Sequence, residues 1–398
     1  MGLTQVEEQA EIVYQYRTAG GTPRFWGWLG GSYEGTFTAQ LGPARTYPGV
    51  RTKVAGVWAA ARDGSPYAYR LAWFRSGGMV NGFERRVAQR DLAAVRTHYA
   101  RHLPEAEARA AGGAWPRDGI GFSFLWLTTF GTPFEQVEYV NTDDGIRWQR
   151  HLFEYGSDGR LNRFQSPRTA YRPGRAYTEL WNRGVFSPAL PPAHEKDFDG
   201  VSRIGDVIST DLLMYGDGRG SLGSSTRATQ RTALYRDGAL VGEQQELRTS
   251  FTVPAGEAAY RLVVDSERGA PATLSTRVSS VWTFRSGHVA GDTPARLPVS
   301  VVRFSPALDA ENSAPSGRRF TVPVTVQPLA GSAARPVRRL SVDASYDDGA
   351  TWTRAEIRGA AAVLRHPAGD GFVSLRARAV DRAGNSVEQT VIRAYRIR

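Results

Sequence analysis

Histidine, serine and aspartate are the residues of this sequence that could carry out nucleophilic catalysis. Cysteine is absent, which excludes a thiol nucleophile, a thiolate metal site and a disulfide framework. A Ser/His/Asp triad needs a histidine that is held by a carboxylate and lies within reach of an exposed serine. The candidate bases are His98, His102, His151, His194, His288 and His366.

His288 has the most suggestive surroundings. It stands in Ser286-Gly-His-Val-Ala-Gly291, where glycines flank a His-Val-Ala-Gly run as they do in the histidine segment of subtilisins. The serine segment of those enzymes (Gly-Thr-Ser followed by Met-Ala) and their aspartate segment (Asp-Ser/Thr-Gly) are missing from the sequence. A triad needs all three members in orientation, so we predict that the chain has no catalytic residue and is not an enzyme.

Metal sites are weakly indicated. His98 and His102 are four residues apart, but no acidic third ligand lies near them on the same predicted helix face, which we interpret as solvated. Asp197 and Asp199, and the segment that begins at Asp217, do not meet EF-hand spacing and are interpreted as surface turns. We predict no metal and no other cofactor.

The segment Ser345-Tyr-Asp-Asp-Gly-Ala-Thr-Trp352 matches the Asp-box pattern, Ser-x-Asp-x-Gly-x-Thr-Trp, of sialidase propellers. It follows an alternating run, and its Asp-Asp-Gly favours a tight hairpin turn. We therefore predict a structural turn, capped by the ring of its tryptophan, at Ser345, Asp347, Gly349 and Trp352. The segment 141–148 repeats the pattern in degenerate form and is predicted to be a second hairpin.

Eight of the ten tryptophans lie in residues 1–198. Trp26 and Trp28 are two residues apart and so lie on the same face of a predicted strand, where they could stack on sugar rings. Core packing is the favoured alternative for such residues, because tryptophan is largely buried on average.

Glycine, proline and alternating apolar runs predict a mainly β chain of tandem immunoglobulin- or fibronectin-like β-sandwiches. We divide it into a Trp-rich, β-dominated region (1–198), a sandwich module (201–285) and a C-terminal immunoglobulin-like sandwich (297–398). The helical spacing of Leu92, Val95 and Tyr99 predicts a helix over residues 90–101. A second short helix is predicted over residues 177–182.

The formal net charge is +11, but the basic residues are spread along the chain without a dense run. This pattern does not favour nucleic-acid binding. No apolar run approaches the ~20 residues that span a bilayer. The acidic start, Met1-Gly-Leu-Thr-Gln-Val-Glu-Glu8, is not a secretory signal.

Several segments together resemble the C-terminal region of the large secreted subtilisin-like (S8 family) serine peptidases of high-GC Gram-positive bacteria. They are Ser280-Val-Trp-Thr-Phe-Arg-Ser286, Leu297-Pro-Val-Ser-Val-Val-Arg-Phe-Ser-Pro306, the Asp-box segment, and residues 371–385 with 388–395. The resemblance covers most of residues 60–398. In that family the catalytic domain lies upstream, and none of its catalytic segments is matched here.

The resemblance implies a noncatalytic accessory tail that is extracellular when it is part of a full-length secreted peptidase. Its expected partners are an upstream catalytic domain, in cis or as a separate chain, and a cell-wall polymer or a protein substrate. The expected roles are wall or substrate binding, or stabilisation of the peptidase. The alternative is a stand-alone extracellular adhesion protein that binds polysaccharide or cell wall through its Trp-rich region.

Overall fold

A computed structural model of the chain describes residues 8–17, 23–33, 51–60, 67–76, 87–103, 106–117, 122–157, 159–192, 200–246 and 248–398. Before residue 68, and at residues 74–76, 122–126 and 144, it describes the backbone alone. Strands dominate, which confirms the mainly β fold class. The described residues hold no α-helix, only the 3₁₀ turns Gln89–Asp91 and Asp143–Gly145, and none of their helices is long and apolar enough to cross a membrane.

The first region contributes twelve strands in the described residues. In chain order they are β1 (Glu8–Arg17), β2 (Pro23–Tyr33), β3 (Arg51–Ala60), β4 (Tyr67–Ser76), β5 (Leu92–Tyr99), β6 (Glu107–Trp115), β7 (Phe122–Gly131), β8 (Phe134–Asn141), β9 (Arg147–Gly156), β10 (Gly159–Gln165), β11 (Ala176–Trp181) and β12 (Ser187–Ala189).

The rest of the chain continues in the same manner. Its middle part holds β13 (Gly200–Ile204), β14 (Val207–Asp211), β15 (Leu213–Gly216), β16 (Leu222–Ser225), β17 (Ala228–Arg236), β18 (Ala239–Gln244), β19 (Arg248–Thr252), β20 (Ala258–Arg268), β21 (Arg277–Ser286) and β22 (Ala295–Arg296). Its last part holds β23 (Ser300–Phe304), β24 (Ser313–Ala314), β25 (Arg319–Pro328), β26 (Val337–Ser345), β27 (Thr353–Arg354), β28 (Glu356–Arg358), β29 (Ala361–Arg365), β30 (Gly371–Asp381) and β31 (Ser386–Ile397).

In the described part of the chain these strands form six hydrogen-bonded sheets. The first region builds a seven-stranded sheet, β11-β5-β8-β4-β3-β1-β2, and most of a five-stranded one, β16-β10-β9-β6-β7. Downstream lie a nine-stranded sheet, β18-β17-β20-β21-β31-β30-β26-β27 with β24 beside β31, and two four-stranded sheets, β19-β14-β13-β22 and β23-β25-β29-β28. The pair β12-β15 completes the set among the described residues.

One sheet runs through both predicted sandwich modules. β21 pairs antiparallel with β31, from Arg277 opposite Ile392 to Thr283 opposite Ser386. The segment between the modules is also held, because β22 pairs with β13 and Gly205 forms a bridge with Val289. The domain limits at 198, 285 and 297 stay predictions, but the parts they separate share hydrogen-bonded strands.

Both predicted helices are wrong. Residues 92–99 form β5, which lies between β8 and β11, and residues 176–181 form β11, parallel to β5. In β5 the buried positions alternate at Ala93, Val95, Thr97 and Tyr99, the period of a strand. The helical spacing was misleading because β5 has neighbours on both sides, and the buried Thr97 hides the alternation.

The segment 141–148 is not a hairpin. It connects β8 to β9, and these strands belong to different sheets. A 3₁₀ turn fills the connection, and the indole Nε1 of Trp148 donates a hydrogen bond to the carbonyl oxygen of Asn141 (2.8 Å). Asp-Asp-Gly therefore marks a turn at both places, but only in the segment 345–352 does the chain return beside its own strand.

A single apolar core cluster links all three parts of the chain. It includes Phe164 and Trp181 from the first region, Trp282 from the middle, and Phe304 and Tyr395 from the last part. Of the core residues that the sequence predicts for the last module, all but Leu340 and Trp352 are buried, and these two are half-buried. The predicted core residues are Phe304, Val322, Val324, Leu340, Val342, Trp352, Leu364, Leu375, Ala377, Val391 and Ile392.

Candidate functional site

His98 and His102 do not share a helix face. His98 lies in β5, and its Nδ1 is 2.6 Å from Oε1 of Glu135 on the neighbouring β8. His102 follows the strand and is fully buried, so the interpretation of a solvated face is wrong for it. The described residues hold no cluster of three or more histidine, aspartate or glutamate side chains that could bind a metal.

His102 is the middle of a buried three-residue chain. Its Nδ1 is 3.1 Å from Oε2 of Glu154, and its Nε2 is 3.1 Å from Nη2 of Arg268. Because a guanidinium can only donate, Nε2 accepts, and the proton lies on Nδ1. Burial lowers the pKa of His102 despite Glu154, and it lowers the pKa of Arg268 to about 10. Glu154 and His102 therefore form an acid–histidine pair, but an arginine and not a serine lies against Nε2.

The same region joins the first part of the chain to the later ones. Asn182 donates to Oε1 of Glu154 (2.7 Å) and to the carbonyl oxygen of Ala100 (3.0 Å). Asn312 donates to the carbonyl oxygens of Arg101 (2.9 Å) and Asn182 (3.0 Å). Its Oδ1 accepts from the amide of Gly184 (2.6 Å). We call the set His102, Glu154, Asn182, Arg268 and Asn312 the polar junction; every member is buried.

His288 forms a second acid–histidine pair, at the surface. Its Nδ1 is 2.9 Å from Oδ1 of Asp206, which also accepts a hydrogen bond from Nη2 of the buried Arg203 (3.1 Å). No serine hydroxyl is among the contacts of His288 in the described part of the chain; Ser286 instead donates to the carbonyl oxygen of Gly287 (3.4 Å). The arrangement holds a loop against β13 and β14.

Two further histidines are buried, and His194 lies outside the described residues. His366 has Nδ1 2.7 Å from the carbonyl oxygen of Pro315 and Nε2 3.1 Å from the hydroxyl of Tyr395, so both nitrogens are used. Burial lowers its pKa. Burial, assisted by the positive charge of Arg163, lowers the pKa of His151 to about 3.

An ionic network crosses the first region. Glu138 contacts Arg70 (3.2 Å) and Arg150 (2.8 Å), and Arg150 continues to Glu179 (3.1 Å). The guanidinium of Arg219 contacts both carboxylate oxygens of Glu179, at 2.8 and 2.9 Å, and its side chain is partly exposed at the surface. Burial favours a higher pKa for Glu179, but the positive charge of Arg150 and hydrogen bonds from Arg219 and Tyr171 hold its pKa below the usual value. The network links β4, β8, β9 and β11 to the turn before β16.

Asp217 is buried at that turn and is not a surface residue. Its Oδ1 accepts from the amide of Ser221 (3.1 Å), and its backbone carbonyl oxygen accepts from Arg303. Burial raises the pKa of the Asp217 carboxyl. The positive charges of Arg303 and Arg219 act on the Asp217 carboxyl, so this turn is unsuited to binding a cation. Asp197 and Asp199 lie outside the described residues.

The turn at residues 345–352 is closed by its own side chains. Asp347 Oδ1 accepts from the hydroxyl of Ser345 (2.7 Å) and the amide of Thr351 (2.8 Å), and Oδ2 accepts from the Thr351 hydroxyl (2.5 Å). The amide of Gly349, at φ +91°, donates to the Ser345 hydroxyl (2.8 Å). The hydrogen bonds from Thr351 and Ser345 lower the pKa of Asp347 to about 2.

The turn is also tied to its neighbours. The ring of Trp352 lies against Gly349, and the guanidinium of Arg376 lies over this ring at 4.6 Å. Asp348 receives three contacts of 2.6 to 3.1 Å from Arg393 on β31. Arg376 and Arg393 thus tie the turn to β30 and β31, and its structural role stays a prediction.

Trp26 and Trp28, the residues predicted to stack on sugar rings, lie on β2. Their side chains are outside the described residues, so the stacking hypothesis stays a prediction.

A groove of about 470 Å³ opens on the sheet β19-β14-β13-β22. Among the described residues that line it, none has an apolar side chain. Its floor includes Ser202, Ser209 and Ser250, which lie opposite one another on three adjacent strands. Asp211 and Arg248 form the next row, at 3.0 Å. The sequence gives little sign of this groove beyond the hydroxyl residues of Thr249-Ser-Phe-Thr252 and of Ser209-Thr210.

No family model matches the chain. No curated protein matches it either. The comparison with solved structures finds chains that are similar in part. They include the FN1–FN3 domains of chicken CNTN1 (11% identity, 85% of this chain and 94% of that chain, TM-score 0.15) and the Sidekick-1 immunoglobulin domains 1–4 (10%, 100% and 97%, TM-score 0.15).

Another similar structure is the Escherichia coli alpha-2-macroglobulin activated by porcine elastase, at 9% identity, with 98% of this chain and 41% of that chain covered and a TM-score of 0.19. All three TM-scores are low, so they support no inference about this chain.

Proposed function

We propose that this chain is a noncatalytic accessory region of a secreted subtilisin-like serine peptidase, in which it serves as a stiff β-sandwich support. The catalytic domain would lie upstream, in cis or as a separate chain, and the assembly would be extracellular. Proteolysis would be carried by that domain alone.

The polar junction is the observation that carries the proposal. Asn312 joins residues 101, 182 and 184 of the first region to the last module through three side-chain hydrogen bonds, two of them buried and the one to Arg101 partly buried. Arg268 adds a contact from the middle module to His102. A buried polar group that loses its partner costs free energy, so these contacts resist hinge motion between the parts.

The hydrogen-bond partners of the two acid–histidine pairs support the noncatalytic role. In the pair of His102 and Glu154, Arg268 blocks the nitrogen that would accept a proton from a nucleophile. Beside the pair of His288 and Asp206, the hydroxyl of Ser286 donates to the carbonyl oxygen of Gly287. General base catalysis needs a free nitrogen within hydrogen-bond reach of a nucleophile, and among the described residues neither pair has one.

An immunoblot of culture supernatant and cell lysate tests the accessory role, with antibody raised against residues 297–398. The proposal expects a secreted band much larger than 43.6 kDa that also reacts with a fluorophosphonate. A band at 43.6 kDa confined to the lysate would contradict it. Fluorophosphonate labelling of the purified 398-residue chain would refute the noncatalytic role.

A further inference from the structure

We propose that the groove on β13, β14 and β19 binds a neutral polyhydroxylated ligand, a stretch of polysaccharide chain. This inference goes beyond the accessory role and holds with or without an attached peptidase domain. The alternative ligands are an apolar molecule and a polyanion, and the lining of the groove disfavours both.

The chemistry of the lining disfavours an apolar ligand. Sites for small molecules are usually lined by hydrophobic and aromatic side chains with few polar groups. Here the described lining consists of Gly200 and of hydroxyl, amide, carboxylate and guanidinium side chains. An apolar ligand would strip water from the exposed groups without replacing its hydrogen bonds, whereas a ligand rich in hydroxyls can donate to them and accept from them.

Charge disfavours a polyanion. The chain has a net charge of +11, yet the described lining of this groove holds two carboxylates, Asp211 and Glu246, against one guanidinium, Arg248. The local balance of −1 repels phosphate, sulfate and uronate groups, which a basic protein would bind elsewhere on its surface. A neutral chain meets no such penalty.

The hydroxyl groups of the floor are repeated at strand spacing. Ser202, Ser209 and Ser250 are in register on adjacent strands, which lie about 4.8 Å apart. The hydroxyls of Ser209 and Ser250 are 2.9 Å apart, so one donates to the other and the pair retains acceptor capacity. A saccharide chain laid across the strands presents hydroxyls at a comparable repeat, one ring after another.

The ion pair at the end of this ladder supplies both kinds of hydrogen-bonding partner. The Asp211 side chain is 14% exposed and sits at the floor, while the Arg248 side chain is 63% exposed and forms the rim. A carboxylate oxygen accepts from a sugar hydroxyl, and the guanidinium donates to its neighbour. Charge-assisted hydrogen bonds of this type are stronger than neutral ones.

Affinity electrophoresis of the full chain in native gels tests the proposal, with soluble starch, barley β-glucan or xylan cast into the gel and polygalacturonate as the polyanion. We expect retardation by at least one of the neutral polymers. Ser209→Trp, which fills the groove, should weaken this retardation at least tenfold. Asp211→Asn, which keeps the shape of the side chain, should weaken it severalfold.

The nine-stranded sheet provides matched controls. Thr283→Trp alters an exposed cross-strand hydroxyl pair with Ser386 (2.6 Å), and Asp265→Asn alters a cross-strand pair with Arg231 (3.5 Å). Both controls should bind like the unaltered chain. The proposal is overturned if no neutral polymer retards the chain, if polygalacturonate alone does, or if Asp211→Asn binds no more weakly than Asp265→Asn. The last comparison does not depend on the folding of the tryptophan variants.

Discussion

Asn312 is where the stiffness of the assembly can be measured. The residue is fully buried, has φ of +58°, and uses its side chain for three hydrogen bonds to the first region. Asn312→Gly removes these bonds while tolerating the backbone conformation. Asn312→Ala removes the same bonds and adds strain, because alanine disfavours positive φ.

The two variants are expected to lower the free energy of unfolding by different amounts. Three hydrogen bonds at about 1 kcal/mol each predict a loss of about 3 kcal/mol in the free energy of unfolding for Asn312→Gly. The left-handed conformation adds about 1 kcal/mol for Asn312→Ala, giving about 4 kcal/mol. Because the lost bonds lie between the parts, limited proteolysis should also release fragments that end in the junction.

Urea unfolding followed by tryptophan fluorescence measures the free energy of unfolding of each variant. Trypsin digestion followed by mass spectrometry detects the fragments that end in the junction. Asn385→Gly is the control, since Asn385 donates a hydrogen bond (2.8 Å) within the surface turn that precedes β31. If Asn312→Gly were within about 1 kcal/mol of the unaltered chain in its free energy of unfolding and equally resistant to trypsin, the junction would not hold the parts together. The support role would then lose its basis.

Three further outcomes are expected. Gly223→Ala places a Cβ 2.2 Å from the carbonyl oxygen of Tyr215 and should destabilise by at least about 2 kcal/mol, whereas Gly269→Ala, with nothing within 4 Å, should be neutral in the same urea assay. The pKa of His151 is lowered to about 3 in the folded chain. Below the ordinary histidine pKa of about 6.5, His151 is therefore protonated in the unfolded chain but stays neutral in the folded one. The free energy of unfolding is then expected to fall by about 2 kcal/mol from pH 7 to pH 5. His151→Gln should remove this part of the slope in urea titrations at the two pH values, and an unchanged slope would contradict the assignment. Asp347→Asn should speed hydrogen exchange in peptides that cover 345–352, while equal rates would mean that the turn does not depend on its carboxylate.

The strands downstream of residue 228 could be predicted from sequence because their signals are local. Asp237-Gly238 lies between two alternating runs, and the structure places a two-residue hairpin there with φ of +48° and +88°. Turn residues and alternation are read within a few positions of each other, so no knowledge of the partner strand is needed.

What the sequence does not reveal is which distant residues meet. Arg268 lies 166 positions from His102, and Asn312 lies 211 positions from Arg101. A single sequence presents each of these polar residues as a surface residue, because burial becomes acceptable only when the partner is known. The helix predicted over residues 90–101 was wrong for the same reason. The strands that flank β5, β8 and β11, are remote in sequence, and the apolar spacing of β5 fits both a helix and a strand.

The position of β31 has a consequence for how the chain acquires its structure. This strand lies between β21 and β30 in the interior of the nine-stranded sheet, so β21 is left with an open edge until residues 386–397 arrive. Pairing over roughly a hundred residues closes slowly, because the loop entropy is lost before the contacts form. During synthesis the edge of β21 is therefore expected to stay unpaired until the last strand has been made. A nascent chain that is interrupted before residue 386 would keep this edge exposed and would bind chaperones or aggregate.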